Sequence, residues 1–211
     1  GYYTASKSRT FIIISRENLI NIEQAMKSSF FAWISRLRWI KRWSLMRNSF
    51  DENVMEHSWE VATIAHTLAL INNRVFDGKV DANAVAVLAL YHDVSEVMTS
   101  DMPTPVKYFS ETIRDAYKTI EKQAGNELLN ILPAELKADF SPLLNEDEMS
   151  PQHHKIVKAA DTLSAYIKCR LEVSSGNNEF KTSGKKLEAK LIDMQMPEVG
   201  YFMQVFVPSY G

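Results

Sequence analysis

Apolar residues along this chain recur at three- and four-residue spacing, the period of a helix with one buried face, far more often than at the every-second spacing of a half-buried strand. The pattern predicts helices over residues 29–43, 54–73, 82–98, 113–132, 153–173 and 185–194. Within the second, Val61, Ile64, Ala65 and Leu68 share a face. Within the third, Val85, Leu88 and Ala89 do, and Ile156, Ala160, Leu163 and Ile167 form the stripe of the fifth. Glycine and proline, seven of each, fall between these segments instead of punctuating them. An all-α domain follows.

Several boundaries carry their own signals. Asn53 followed three residues later by Glu56 is a capping-box arrangement, which starts a helix just before His57. Asp81 is the expected cap of the next helix. Ser150 and Pro151 read as a cap followed by a proline at the first helical position, where its missing N–H is harmless. Residues 1–25 lack a helical pattern and are read as a leader or extension without assigned function, so the domain is expected over residues 26–211.

Each buried stripe is interrupted by polar residues. His57 continues the Val61 face, and the series Val85, Leu88, Ala89, His92, Glu96 runs from hydrocarbon into carboxylate, with Asp93 beside it. Asp161 flanks the stripe of the fifth helix. Burying such groups without partners costs several kcal/mol, on the order of 2–7 each. A shared divalent cation would satisfy them together. Imidazole and carboxylate suit Mn, Co, Zn, Fe or Ni, and the lone Cys169 excludes a thiolate cluster. Adjacent helical residues diverge by about 100°, so His92 and Asp93 can share an ion only if other helices supply further ligands. Taken singly, His57 has the ordinary alternative of a hydrogen-bonded core histidine, and Asp161 that of a solvated helix edge. The ordered set His57, His92-Asp93, Asp161 favours the metal.

The remaining composition narrows the class. At 211 residues the chain can bury one substantial core. A net charge of −2 gives no general attraction to nucleic acid or anionic membrane. A single cysteine fits a reducing compartment, and the short apolar run Phe11-Ile12-Ile13-Ile14 cannot span a bilayer. A cytoplasmic location is expected. Five basic residues between Arg36 and Arg47 are interleaved with Trp39 and Trp43; such a run is equally a solvated face or a basic surface.

H…HD…D on successive helices resembles the HD-domain superfamily of metal-dependent phosphohydrolases. The stretches Arg42-Trp43-Ser44-Leu45-Met46-Arg47-Asn48, Glu52-Asn53-Val54-Met55-Glu56-His57-Ser58, Tyr91-His92-Asp93-Val94-Ser95-Glu96-Val97 and Asp101-Met102-Pro103-Thr104-Pro105-Val106-Lys107 resemble, more narrowly, the bacterial HD-domain 5'-deoxynucleotidases. The similarity spans residues 26–210. One departure is Ser100, where the resemblance expects glycine; Val94 and Met102 vary small apolar positions.

The resemblance implies an HD-domain helical bundle that hydrolyses deoxyribonucleoside 5'-monophosphates with a Co, Mn or similar ion held by His57, His92, Asp93 and Asp161. It implies a pocket lined by Arg42, Trp43, His57, Asp101, Thr104 and Pro105, with Arg42 on phosphate and Trp43 against the sugar near C2'. Glu96 is expected to orient or deprotonate the attacking water, and Asp101 to meet a sugar hydroxyl or protonate the leaving 5'-oxygen. A homodimer is implied, with no nucleic-acid polymer and no membrane as partner. The alternatives are another HD-superfamily phosphohydrolase acting on a triphosphate, cyclic nucleotide or alarmone, and a non-catalytic module that binds metal or nucleotide.

Overall fold

A computed structural model describes residues 27–210; the expected leader over residues 1–25 and the expected start at Met26 lie outside them. Among the described residues the chain forms ten α-helices and no β-strand, as the periodicity predicts. α1 (Phe30–Ile34) passes into a 3-10 turn, Ser35–Trp39. The helix expected over 29–43 therefore stops early. Ile40 turns extended, and the backbone pairs across a loop instead, through Arg42 N–H to Glu52 O at 3.0 Å and Val54 N–H to Ile40 O at 3.0 Å.

α2 (Val54–Val75) begins with the full capping box: Asn53 Oδ1 accepts from the Glu56 N–H, and the Glu56 carboxylate accepts from the Asn53 N–H. α3 (Ala82–Tyr91) is capped by Asp81, whose carboxylate accepts from the Ala84 N–H at 3.0 Å. Here the expected helix over 82–98 is broken. Residues 92–95 form turns with bonds from Val94 N–H to Tyr91 O and Glu96 N–H to Asp93 O, and these i to i−3 bonds wind tighter than an α-helix. α4 (Glu96–Thr99) follows as a separate short helix. α5 (Thr104–Lys107) takes up the last residues of a segment that reads from sequence as loop, with Pro105 in its first turn.

α6 (Glu111–Asn130) is capped by Ser110. α7 (Lys137–Leu144) crosses it closely at Gly125, where a Cβ would meet the Leu144 carbonyl oxygen at 2.6 Å. α8 (Pro151–Ser174) starts at the expected proline, but the Ser150 side chain makes no capping bond; Pro151 supplies the start signal alone. α9 (Lys181–Asp193) and α10 (Pro197–Val205) complete the set.

Two apolar clusters form. The larger joins α2, α3, α8 and the final helices through residues such as Val61, Leu68, Val85, Ala160, Leu163 and Phe202. The smaller gathers Phe30, Leu37, Val54, Val94, Leu128 and Leu132. Each fully buried aliphatic side chain stabilises by about 1.5–3 kcal/mol. His57 lies between Val54 of one cluster and Val61 of the other, and His92-Asp93 between Ala89 and Val94. The polar residues that interrupt the stripes therefore form a seam where the two cores meet.

A buried carboxylate fixes the loop leading to that seam. Glu172, fully buried on α8, accepts from the Ser49 N–H at 2.9 Å, from Asn177 Nδ2 at 2.9 Å and from Lys168 Nζ. Lys168 Nζ also donates to Phe50 O at 2.6 Å, and Asn177 Nδ2 to Arg47 O at 2.7 Å. Burial alone would raise the Glu172 carboxyl, but its donors hold it down at about 2, below its ordinary 4.5. A depressed carboxyl stabilises the fold above its unfolded pKa and loses that effect as pH falls toward the folded value. Glu172→Gln is accordingly expected to lower unfolding free energy by about 3 kcal/mol at pH 7, with a smaller deficit at pH 3. Urea titrations of both proteins at the two pH values check this, and an equal or larger deficit at pH 3 contradicts it.

Candidate metal centre

The seam collects its polar groups from three helical segments. His57, 1% exposed, comes from the first turn of α2; His92 and Asp93 come from the turn after α3; Asp161 comes from the middle of α8. Ligand atoms of His57, His92 and Asp93 all lie within 4.8 Å of one another. His92 Nε2 is 3.0 Å and His57 Nε2 3.6 Å from Asp93 Oδ2. Asp161 stands outside that trio but joins it through His57, with Oδ1 3.3 Å from His57 Nε2. Ligands bound at about 2.1 Å to one ion sit roughly 3–4 Å apart, so these spacings are of the right size.

A second observation concerns the imidazoles. Both Nε2 atoms are buried without an aligned hydrogen-bond partner, although carboxylate oxygens stand beside them. His92 donates its other nitrogen, Nδ1, to Ala89 O at 2.7 Å. A carbonyl only accepts, so in the neutral ring that a metal ligand requires this bond leaves Nε2 as the lone-pair nitrogen. The donor set, two imidazole nitrogens and two carboxylates, fits a borderline-to-hard divalent ion.

The electrostatics are those of a site with excess negative charge. Burial would raise Asp93, but His92 and His57 outweigh it and hold the carboxyl well below its usual range. Asp161 is also held down, with the nearby His57 and the Lys158 ammonium overcoming burial. His57 is pushed down to about 4, chiefly by burial and then by Arg42, so it is neutral at pH 7. Glu96 moves the other way. Burial, then Asp93 and Asp101, push its carboxyl up to about 10, and its Oε2 has no partner.

The other expected site residues are placed unevenly. Arg42, almost buried, puts Nη1 3.5 Å from Asp93 Oδ2 while its Nε donates to Glu52 Oε1 at 2.8 Å. Trp43 adopts φ 57, packs on Phe180 with ring centroids 5.3 Å apart, and buries an indole N–H with no acceptor. Asp101 is half-buried; burial raises its carboxyl, Arg42 lowers it, and Asp93 raises it further. Thr104 and Pro105 are exposed on α5, where the Thr104 carbonyl accepts from the Tyr108 N–H at 3.1 Å. Glu96 is not on the His92 helix, as its spacing suggests, but at the start of α4 after the turn.

Three participants escape a reading of the sequence. Lys158 places Nζ 3.4 Å from Asp161 Oδ2, and its i, i+3 spacing was the available signal. Glu52, just before α2, meets Arg42 across the loop, and Glu60, one turn after His57 on α2, meets Ser164 of α8 only through the fold.

A family profile described as 5'-deoxynucleotidase YfbR-like matches residues 29–210. The chain is 53% identical to a 5'-deoxynucleotidase of Klebsiella pneumoniae over 184 residues, covering 87% of this chain and 92% of that one. It is 52% identical to 5'-deoxynucleotidase YfbR of Shigella boydii over the same shares of each chain. Among solved structures it is similar to an HD-domain phosphohydrolase of Listeria innocua, with TM-score 0.76 and 26% identity over 86% of this chain and 88% of the other. The cyanophage S-2L HD phosphohydrolase DatZ, solved with dA and one catalytic Zn2+ ion, shares the fold at TM-score 0.60 and 16% identity, over 88% and 99% of the two chains.

Ser100, between α4 and Asp101, has φ 63 and ψ 165, a region occupied almost only by glycine. Tyr117 O–H holds it there by donating to Ser100 O at 3.1 Å. The position expected to be glycine thus retains the glycine conformation with a serine in it. Ser100→Gly is expected to raise unfolding free energy by about 1 kcal/mol, since strain of about 1–3 kcal/mol is relieved and part is returned as chain entropy. Thermal denaturation checks this; a Tm at or below that of the parent contradicts it.

Proposed function

The chain belongs to the YfbR-like 5'-deoxynucleotidase family, and from that membership we infer that it is a metal-dependent hydrolase that cleaves deoxyribonucleoside 5'-monophosphates to deoxynucleoside and phosphate. The observation that carries the reading is the pair of buried, unpartnered Nε2 atoms of His57 and His92 beside the Asp93 and Asp161 carboxylates. We assign these four residues as ligands of one divalent ion, Co or Mn being the preferred choices. A divalent ion held by these residues would supply a Lewis acid for a phosphoryl oxygen and an acidified water, and its charge would counter the burial and the Asp93 and Asp101 fields that raise the Glu96 carboxyl.

The chain's own groups do the rest. Arg42 is fixed by Glu52 through its Nε, which leaves Nη1 and Nη2 to meet phosphate oxygens. Glu96 accepts from the attacking water and orients it in line with the phosphorus. Asp101, with its raised carboxyl, can hand a proton to the departing 5'-oxygen. The Trp43 indole, strained and short of an acceptor, forms a wall for the sugar. A ribose hydroxyl pressed against it would lose its water partners. Thr104 and Pro105 are assigned to the outer rim.

No helix of the described residues is long and apolar enough to cross a membrane. A cytoplasmic location and a homodimer belong to the same proposal. The half-exposed Tyr201 and Phe206 near the end of α10 support a contact between chains.

Phosphate release from dAMP, AMP and dATP, each with Mn2+, Co2+ or chelator, tests the reading. It predicts release from dAMP that requires metal, with AMP slower and dATP inert, and a narrower dAMP-to-AMP ratio in Trp43→Ala. Release from dAMP that survives chelation removes the mechanism; cleavage of dATP alone removes the substrate. Glu96→Ala is expected to keep its metal and lose at least 100-fold in kcat, a size usual for general acid–base groups. Asp161→Ala is expected to lose the metal. Metal content of the purified variants decides, and an empty Glu96→Ala contradicts the division of roles.

A further inference from the structure

His57 and His92 present the same nitrogen to the seam but are oriented by different means. The His92 tautomer is set by a backbone carbonyl, which no side-chain change can remove. His57 instead directs Nδ1 at Ser164 Oγ, 3.1 Å away and fully buried on α8. Ser164 Oγ lies 2.5 Å from Glu60 Oε2, one turn along α2 from His57 itself. Glu60 and His57 both line an open cavity of about 590 Å³ whose lining includes none of His92, Asp93 and Asp161.

The direction of these bonds follows from what each group can do. A carboxylate accepts and does not donate, so the Ser164 hydroxyl gives its single proton to Glu60. Its lone pairs then face His57, and Nδ1 must be the protonated nitrogen. Nε2 keeps its lone pair and points at Asp93 and Asp161. Glu52 Oε1 is 3.6 Å from the same Nδ1, too long for a hydrogen bond, and is already engaged by Arg42 Nε at 2.8 Å.

We propose that Ser164 and Glu60 are positioning residues for His57, forming a carboxylate–hydroxyl–imidazole relay that holds Nε2 in its metal-binding tautomer. The proposal rests on the metal reading of the site. Groups that orient a metal-bound histidine from behind typically change affinity 10–100-fold when removed. Because Glu60 acts only through the hydroxyl, its effect disappears once that hydroxyl is gone.

Mn2+ titration by calorimetry on the full chain, with kcat at saturating Mn2+, tests this in wild type, Ser164→Ala, Glu60→Ala and the double variant. Ser164→Ala is expected to weaken Mn2+ binding 10–100-fold with kcat at saturation within threefold of wild type. Glu60→Ala is expected to weaken it at least fivefold, and the double variant to match Ser164→Ala alone. A Ser164→Ala affinity within threefold of wild type overturns the relay, as do losses that multiply in the double variant. Should Ser164→Ala fail to fold, Glu60→Ala decides alone: weakened binding with an unchanged far-UV spectrum supports the relay, and unchanged binding overturns it. Wild type that binds Mn2+ normally while the variants do too sinks only the relay; wild type that binds none sinks the metal reading and the relay with it.

Discussion

Asp93 and Asp161 both approach Nε2 of a neutral, buried His57, and Asp93 also raises the carboxyls of Glu96 and Asp101. The Arg42 guanidinium is set among them, with its Nε bonded to Glu52 and its Nη1 3.5 Å from Asp93 Oδ2. Asp93 and Asp161 are held below the usual carboxylate range, while burial and then the charges of Asp93 and Asp101 push Glu96 far upward. Such a cluster is costly unless further positive charge resides there. The two apolar cores are arranged around that requirement, meeting at the line where their stripes give way to ligand-type residues.

Keeping this arrangement in place requires rigidity from outside the seam. Arg42 and Trp43 sit on a loop that no helix supports. Glu172, Lys168 and Asn177 hold it to α8 by bonds to the backbone at Arg47, Ser49 and Phe50. On the other side, Ser100 and Tyr117 hold the approach to Asp101. Each loop contains a non-glycine residue at positive φ, Trp43 and Ser100, a strained conformation that the surrounding bonds hold in place.

Much of this was legible in the sequence, for identifiable reasons. Long helices with clear caps, such as α2 behind Asn53 and Glu56, announce themselves locally, and so do polar residues set into apolar stripes. His57 and His92 stand out by that rule, and Asp93 and Asp161 only through their order with them along the chain. What was not legible depends on competition between local and distant bonds. The helix through 82–98 breaks at His92 because tighter i to i−3 bonds aim His92 and Asp93 at one place, which a continuous helix would not. The helix through 29–43 ends where cross-loop pairing takes its backbone groups. α7 and α10 carry proline and a weak stripe, so periodicity passes over them. Glu52, Glu60 and Glu172 take their roles from the fold, which brings them to Arg42, Ser164 and Lys168.

The claim that most of this account depends on is a place in space: one ion between the Nε2 atoms of His57 and His92 and the carboxylates of Asp93 and Asp161. Anomalous diffraction at the manganese edge from crystals grown with Mn2+ tests it most directly. The account predicts a single strong peak within about 2.0–2.4 Å of atoms from all four side chains. A peak that omits Asp161 or either histidine, or one that lies on another part of the surface, contradicts it.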